Sequence, residues 1–288
     1  MSGSTRLRGW EGLTVDECCA RWRLPAVIAL SETASTNDVA RRMAEQGAPA
    51  GLLVMTEHQT AGRGRMHRPW TDAPGRSLLL SFVLRPAPAP ATGASASVAP
   101  GTAPLRIGMA LVAALRDAAG IDARLKWPND VVAAGGKLAG ILCEAASAGG
   151  QTLIIAGIGI NVLQQPDDWP DELRGRAVSV AQAAAPAAPG RLALMDAVTA
   201  SLRPLFEHPL APLSEAELRT YDAVDALRGF DVTATGPSEL HGTAAGIAAD
   251  GALLVRTGNV VRRVASGSVR RTEPHSPEHN HTTARTPR

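Results

Sequence analysis

Ser35-Thr36-Asn37 stand just ahead of Val39, Ala40, Met43 and Ala44, apolar positions three and four apart, with Gly47 placed to end the run in a left-handed conformation. This spacing predicts a short capped helix. Leu52 to Thr56 and Ser77 to Leu84 are apolar runs of strand length, whereas Leu105, Met109, Val112 and Leu115 recur every three to four residues before Gly120. Strand, strand, helix is the expectation. Asp122 to Trp127 reads as a strand stopped by Pro128. Val131-Val132 then meets Leu138 to Cys143 across Gly135-Gly136, a pair able to take positive φ in a tight hairpin. Thr152 to Val162 is apolar almost throughout, so both of its faces should be buried, and Leu192 to Glu207 and Glu215 to Leu227 carry helical spacing.

Beyond Gly229 the pattern shortens to strand candidates at Phe230 to Thr235, Leu240 to Ala248, Ala252 to Thr257 and Val260 to Val264, with Asp250-Gly251 as a hairpin turn. The expected fold is therefore α+β: a sheet flanked by helices over residues 28–228, followed by a small β-barrel over 229–271. Residues 1–27 read as an N-terminal extension, polar through Glu17. Residues 86–104 carry no charge and no periodic apolar face, which predicts a mobile surface excursion. From Thr272 onward no apolar side chain exceeds Ala284 in size, and a disordered tail, 272–288, is expected.

Composition narrows the function classes. The 29 lysines and arginines against 27 acidic residues leave a formal charge of +2, which argues against long-range attraction to nucleic acid or an anionic membrane. Any chemistry on phosphate must be local. The N-terminus lacks the apolar core of a signal peptide and no run approaches eighteen apolar residues, so a cytoplasmic protein is expected. Cys18, Cys19 and Cys143 show no spacing for zinc or redox work and read as structural thiols, and no metal site of the protein's own is expected.

Four segments carry candidate chemistry. Glu57-His58-Gln59-Thr60-Ala61-Gly62-Arg63-Gly64-Arg65-Met66-His67-Arg68-Pro69-Trp70 packs three guanidinium groups and two glycines into seven residues soon after a strand. Glycine lets main-chain amides approach an oxyanion, each arginine can grip a carboxylate or phosphate with two charge-assisted bonds, and Trp70 offers a flat face for a purine. On this segment alone a solvated basic turn stays open. Lys126-Trp127-Pro128-Asn129-Asp130 holds a lysine just beyond a strand end, with side-chain oxygens for the turn or a metal. Gly136-Lys137-Leu138-Ala139-Gly140-Ile141-Leu142-Cys143-Glu144 has small residues where a ligand or another backbone could approach. Gly157-Ile158-Gly159-Ile160-Asn161 fails as a dinucleotide fingerprint, since the third glycine and the following helix are missing. Tight strand packing is the alternative for both. No Ser-His or Cys-His arrangement is identified, and His208, His241 and the tail histidines read as solvated surface.

In this order and spacing the segments resemble the biotin-protein ligases over roughly residues 30–162, with a looser resemblance in Ala245 to Gly251 to the family's C-terminal domain. The resemblance implies a mixed or antiparallel sheet flanked by helices, like the class II aminoacyl-tRNA synthetases, with a small C-terminal SH3-like barrel. It further implies ATP-dependent activation of biotin to biotinyl-5'-AMP and transfer to a lysine of a biotin carboxyl carrier protein domain of acetyl-CoA carboxylase or a related acyl-CoA carboxylase, with Mg²⁺. Carried over position by position, Ser35, Thr36, Asn37, Gln59, Gly62, Arg63, Gly64, Arg65, Lys126, Gly140 and Gly157 would bind biotin. Arg65, Arg68, Trp70, Lys126, Asn129 and Asn161 would bind ATP or the adenylate, with Arg65 and Lys126 the catalytic pair. The chain departs from the pattern at His67, where many relatives carry glycine, and at Pro69, and both predict a stiffer loop. About thirty residues precede the Ser-Thr-Asn segment, too few for the winged helix of relatives that bind operator DNA, so no DNA partner, no membrane, and a monomer or homodimer are expected. The alternatives are a lipoate or octanoate ligase, although the Arg-Arg, triple-glycine and His-Asp signature of those enzymes is absent, and a regulator that binds biotin without catalysis.

Overall fold

The computed structural model describes residues 5–86, 99–184, 188–206, 210–236 and 238–272. The expectations for the tail beyond Thr272, for most of the 86–104 excursion, and for His208 and the tail histidines lie outside the described residues.

The first residues form a short ladder of β1 (Gly9–Trp10) and β2 (Leu13–Thr14), then helix α1 (Val15–Trp22), which opens on a Thr14–Glu17 capping box and ends at left-handed Arg23. Trp10, Cys18 and Trp22 are buried, so this segment is part of the core and more than the polar extension that its charges suggest. There follow β3 (Val27–Leu30), α2 (Thr36–Glu45), β4 (Leu53–Thr56), β5 (Ser77–Leu84), α3 (Thr102–Ala119), β6 (Arg124–Lys126) and β7 (Asp130–Ala133). Next come β8 (Gly136–Ala148), β9 (Gln151–Asn161), α4 (Val180–Ala183), α5 (Arg191–Leu202) and α6 (Glu215–Val224). The uncharged excursion is shorter than its composition suggests. Ala99 is buried and Thr102 to Pro104 already form the first turn of α3, where the Thr102 hydroxyl donates to the carbonyls of Ala99 and Ala211.

Seven strands form one mixed sheet in the order β3-β4-β5-β9-β8-β7-β6, antiparallel throughout except for the parallel β3–β4 pair. Alternation along β5 and β9 sorts the side chains between two layers. Leu78, Leu80, Phe82, Ile154, Ala156, Ile158 and Ile160 join α1, α3 and α5 in the main core. Val83, Leu153 and Ile155 meet Val39, Ala40 and Ala44 of α2 on the opposite face. Along β9 that second row continues as Gly157, Gly159 and Asn161; α2 reaches only as far as Asn37 over Gly157, and Gly159 lies under the ring of Trp70.

The C-terminal strands β10 (Asp231–Thr235), β11 (Glu239–Ile247), β12 (Leu253–Thr257), β13 (Val260–Val264) and β14 (Ser268–Arg271) make a five-stranded antiparallel sheet in the order β13-β12-β11-β10-β14, consistent with an SH3-like domain. Its Val232, Val255 and Val269 belong to the same apolar cluster as α3, and the Trp127 indole N–H donates to the Gly251 carbonyl at 3.0 Å. The two sheets therefore share a core. Among the described residues no helix is long and apolar enough to cross a membrane.

Arg106 of α3 ties this junction together. Its side chain is 7% exposed, donates to Glu217 Oε1 on α6 at 2.5 Å, and also reaches the carbonyls of Ala211 and Pro212. The Arg106 hydrogen bond holds the Glu217 carboxyl down at about 2, against an ordinary 4.5. The folded form therefore gains from an ionised Glu217 above pH 4.5 and loses that gain as the pH falls toward 2. Arg106→Met is expected to cost about 3 kcal/mol at pH 7, as for breaking one side of a buried pair. It is also expected to show a smaller loss of stability between pH 6 and pH 3 than the parent; urea unfolding at both pH values checks this.

Candidate functional site

A cavity of about 680 Å³ opens over the bare stretch of sheet, within the range of small-molecule sites. Its floor is Gly140 and Leu142 of β8 paired across the ladder with Gly159 and Gly157 of β9. Glycine is required here because other groups stand where a Cβ would be. A Cβ on Gly159 would come within 2.6 Å of the Trp70 ring and one on Gly140 within 2.9 Å, while one on Gly157 would meet Asn37 Oδ1 at 2.4 Å. Trp70 thus lies flat on the glycine floor, with Lys137 Nζ 5.5 Å from its centroid, and its buried indole N–H has no hydrogen-bond partner.

One end of the cavity is a polar network built by the start of α2. Gln59 Oε1 accepts from the Thr36 main-chain N–H at 2.8 Å and from its hydroxyl at 3.1 Å. The Ser81 hydroxyl lies 2.8 Å from Thr36 Oγ1 and 2.6 Å from Asn37 Oδ1, and Asn37 donates to Glu144 Oε2 at 2.6 Å. Both ends of the Asn37 amide are engaged within the protein, so it braces Thr36. Ser35 and Thr36 line the cavity beside it.

The arginine segment folds as a finger. Trp70 N–H donates to the Gly62 carbonyl at 2.9 Å and Gly64 N–H to the Arg68 carbonyl at 2.7 Å, around a single 3-10 turn, Arg65–His67. Gly62 sits at the base of the finger and is not itself a lining residue, unlike Arg63, Gly64, Arg65 and Arg68. Met66 and His67 both have φ of 56°, a left-handed conformation that costs a residue with a Cβ roughly 1–2 kcal/mol. Arg63 forms a two-pronged pair with Asp38 of α2 at 2.5 and 3.0 Å, and Asp38 holds its guanidinium above the ordinary value.

Charge in the cavity is strongly asymmetric. Arg63, Arg65, Arg68, Lys126, Lys137 and Arg176 line it against two carboxylates, Asp130 and Glu172. Arg63 is paired to Asp38 and Lys137 to Asp130 at 2.7 Å, whereas Arg65, Arg68, Lys126 and Arg176 form no ion pair among the described residues. Burial draws the Arg65 guanidinium below its ordinary value, with Asp130 acting in the opposite sense. Unpaired cations partly withdrawn from water are poised for an anion.

Every sequence-identified site residue except Gly62 lines this one cavity. The Asn129 amide donates to the Ile141 carbonyl at 2.8 Å and that of Asn161 to the carbonyls of Lys137 and Val178, so both also fix the walls. The motifs did not reveal Ser81, nor the rim made by Trp169, Glu172, Leu173 and Arg176 and by Gly267, Ser268 and Val269 at the start of β14. The Trp169-Pro170 pair was the only local signal. Among the described residues no three His, Cys, Asp or Glu converge as a metal cage.

The mixed sheet that carries the glycine floor and the cationic finger places the chain in the biotin and lipoate ligase class. Residues 30–161 match the biotin/lipoate A/B protein ligase family and residues 231–270 the biotin protein ligase C-terminal domain. A biotin–[acetyl-CoA-carboxylase] ligase of Paracoccus denitrificans is 34% identical over 244 residues, which cover 79% of this chain and 92% of that one. The chain belongs to the biotin protein ligase family. It is also 42% identical over 152 residues to the bifunctional ligase/repressor BirA of Bacillus subtilis, covering 52% of this chain and 44% of that protein. The match spans about half the length of the first curated relatives, 44% and 52% in two of them. Among solved structures, the biotin protein ligase of Aquifex aeolicus in complex with biotin and ATP has a TM-score of 0.70 at 25% identity, covering 86% of this chain and all of that one.

Two substitutions probe the site's construction. Gly159→Ala is expected to lift Trp70 from the floor without unfolding the chain, seen as greater acrylamide quenching of tryptophan fluorescence that disappears in a Trp70→Phe background. His67→Gly relieves one left-handed Cβ and should raise stability by about 1 kcal/mol in urea.

Proposed function

We propose that the protein activates biotin with ATP to biotinyl-5'-AMP and transfers the biotinyl group to a lysine of a biotin carboxyl carrier protein domain. The observation that carries this reading is that Arg65 and Lys126, each without an ion pair among the described residues, share one cavity with the Thr36–Gln59 polar network. A neutral polar network suits a ureido head, and free cations suit a carboxylate meeting a phosphate.

In the first step a biotin carboxylate oxygen attacks the α-phosphorus of ATP and pyrophosphate leaves. Negative charge builds on phosphate in a site partly closed to water, where Lys126, Arg65 and Arg68 stabilise it by fixed electrostatics. Ser35, Thr36 and Gln59 hold the head group, Arg63 belongs to the finger that folds over biotin, and Trp70, Asn129 and Asn161 bound the nucleotide side. In the second step a neutral carrier lysine attacks the acyl carbon and AMP departs, so no nucleophile of the enzyme is needed. Closure of the finger keeps water from the anhydride.

Mg²⁺ needs few protein ligands when it arrives on phosphates. Glu172 in the cavity wall, which forms no ion pair among the described residues, fits that requirement, and the ion would neutralise phosphate charge there; Asp130 is already held by Lys137. The match of residues 231–270 to the C-terminal domain of biotin protein ligases supports biotin over a lipoyl substrate.

Incubation with labelled biotin, ATP and a carrier domain tests the reading, with transfer of label to lysine expected and lipoate inert. Arg65→Ala and Lys126→Ala are expected to slow adenylate formation at least ~100-fold while leaving folding intact. A variant that forms adenylate at the parent rate removes that residue from the mechanism.

A further inference from the structure

The carboxylate of Asp72 is 1% exposed. His58 Nδ1 stands 2.9 Å from its Oδ2, while its buried Oδ1 has no hydrogen bond. Burial pushes this carboxyl up and the His58 contact pulls it down. A buried carboxylate is costly for stability unless it is fully paired, so packing alone gives no reason for one here. Its place in the chain supplies a reason. His58 and Asp72 flank the arginine finger, and among the described residues no other side-chain hydrogen bond or ion pair joins its two legs.

The leading leg is fixed independently. Thr33 N–H donates to the His58 carbonyl, Thr60 N–H to the Thr33 carbonyl and Ala61 N–H to the Ala34 carbonyl, at 3.1, 3.0 and 3.0 Å. This parallel pairing carries Gln59 to within hydrogen-bond reach of Thr36. The trailing leg is tied by main chain at both ends, Trp70 N–H to the Gly62 carbonyl at 2.9 Å and Gly75 N–H to the Glu57 carbonyl at 3.0 Å, and between them by Asp72.

Resting on the ligase reading above, we propose that Asp72, acting through His58, is a positioning residue for biotin. It holds the stem of the finger in register with the Thr36–Gln59 network, so that the head-group subsite and the closing finger move as one unit.

The test uses the full chain. Biotin is titrated in adenylate formation at saturating ATP for the parent, Asp72→Ala, Asp72→Asn and His58→Gln, and the thermal midpoint of each is measured. Asp72→Ala is expected to raise the biotin KM about tenfold with kcat within about threefold, the size of one lost hydrogen bond to a charged group. Asp72→Asn keeps an acceptor for His58 and should recover most of the parent KM. A merely structural role lowers the folded fraction, and so kcat, but leaves KM in place. An unchanged KM in Asp72→Ala, a loss confined to kcat, or no recovery in Asp72→Asn overturns the proposal. Should Asp72→Ala not fold, His58→Gln decides alone, since His58 is 29% exposed and tolerates exchange: a raised biotin KM supports the proposal and a parent-like KM overturns it. A parent protein that forms no adenylate would instead overturn the ligase reading, and this inference with it.

Discussion

The site depends on a patch of sheet without side chains. Where Gly140, Gly157 and Gly159 face outward, the backbone is flat enough for Trp70 to lie on it and for Asn37 to reach through to Glu144. Helix α2 covers the same face one strand-length away with Val39, Ala40 and Ala44, so the change from core to cavity takes place within a single row of β9. Apolar burial of Leu153 and Ile155 holds one end of that row and the hydrogen bonds of Asn161 the other, and the absence of side chains in between creates the space. The fold and the site are consecutive residues of one strand.

Charge is arranged on the same plan. The whole chain is nearly neutral, yet the cavity gathers six cations and two carboxylates. Two of those cations are spent on the scaffold: Arg63 on Asp38, which draws the finger onto α2, and Lys137 on Asp130, which fixes it over Trp70. The remainder face a space that only an anion can satisfy. Pairing some charges and leaving others free gives a finger that is ordered before ligand arrives and still attractive to phosphate.

Much of this was legible in the sequence, and the reasons differ by element. α2 and α3 follow helical periodicity, whereas β5 and β9 show as continuous apolar runs because both of their faces are buried. Arg65, Lys126 and Gly159 could be found because short motifs concentrate unusual residue types. Ser81 was hidden in the apolar run of β5, where a lone hydroxyl has no local signature and only the register to α2 reveals its task. The N-terminal segment was underestimated because Trp10 and Trp22 are separated by charged residues that point outward. Residues 169–177 and 267–269 join the rim by tertiary folding, and apart from the Trp169-Pro170 pair no pattern along the chain marks them.

His67 shows how the finger differs from a purely flexible lid. Two consecutive left-handed residues with side chains, followed by Pro69, make the tip costly to form and narrow in its choices. Such a tip persists only if its surroundings over-determine it. Here the Gly64–Arg68 and Trp70–Gly62 bonds, the Arg63–Asp38 pair and the His58–Asp72 stem all do so. Glycine at position 67 would relax the tip and leave closure to the ligand. With histidine there, the tip has fewer conformations to lose, which lowers the entropy cost when the finger closes over the adenylate.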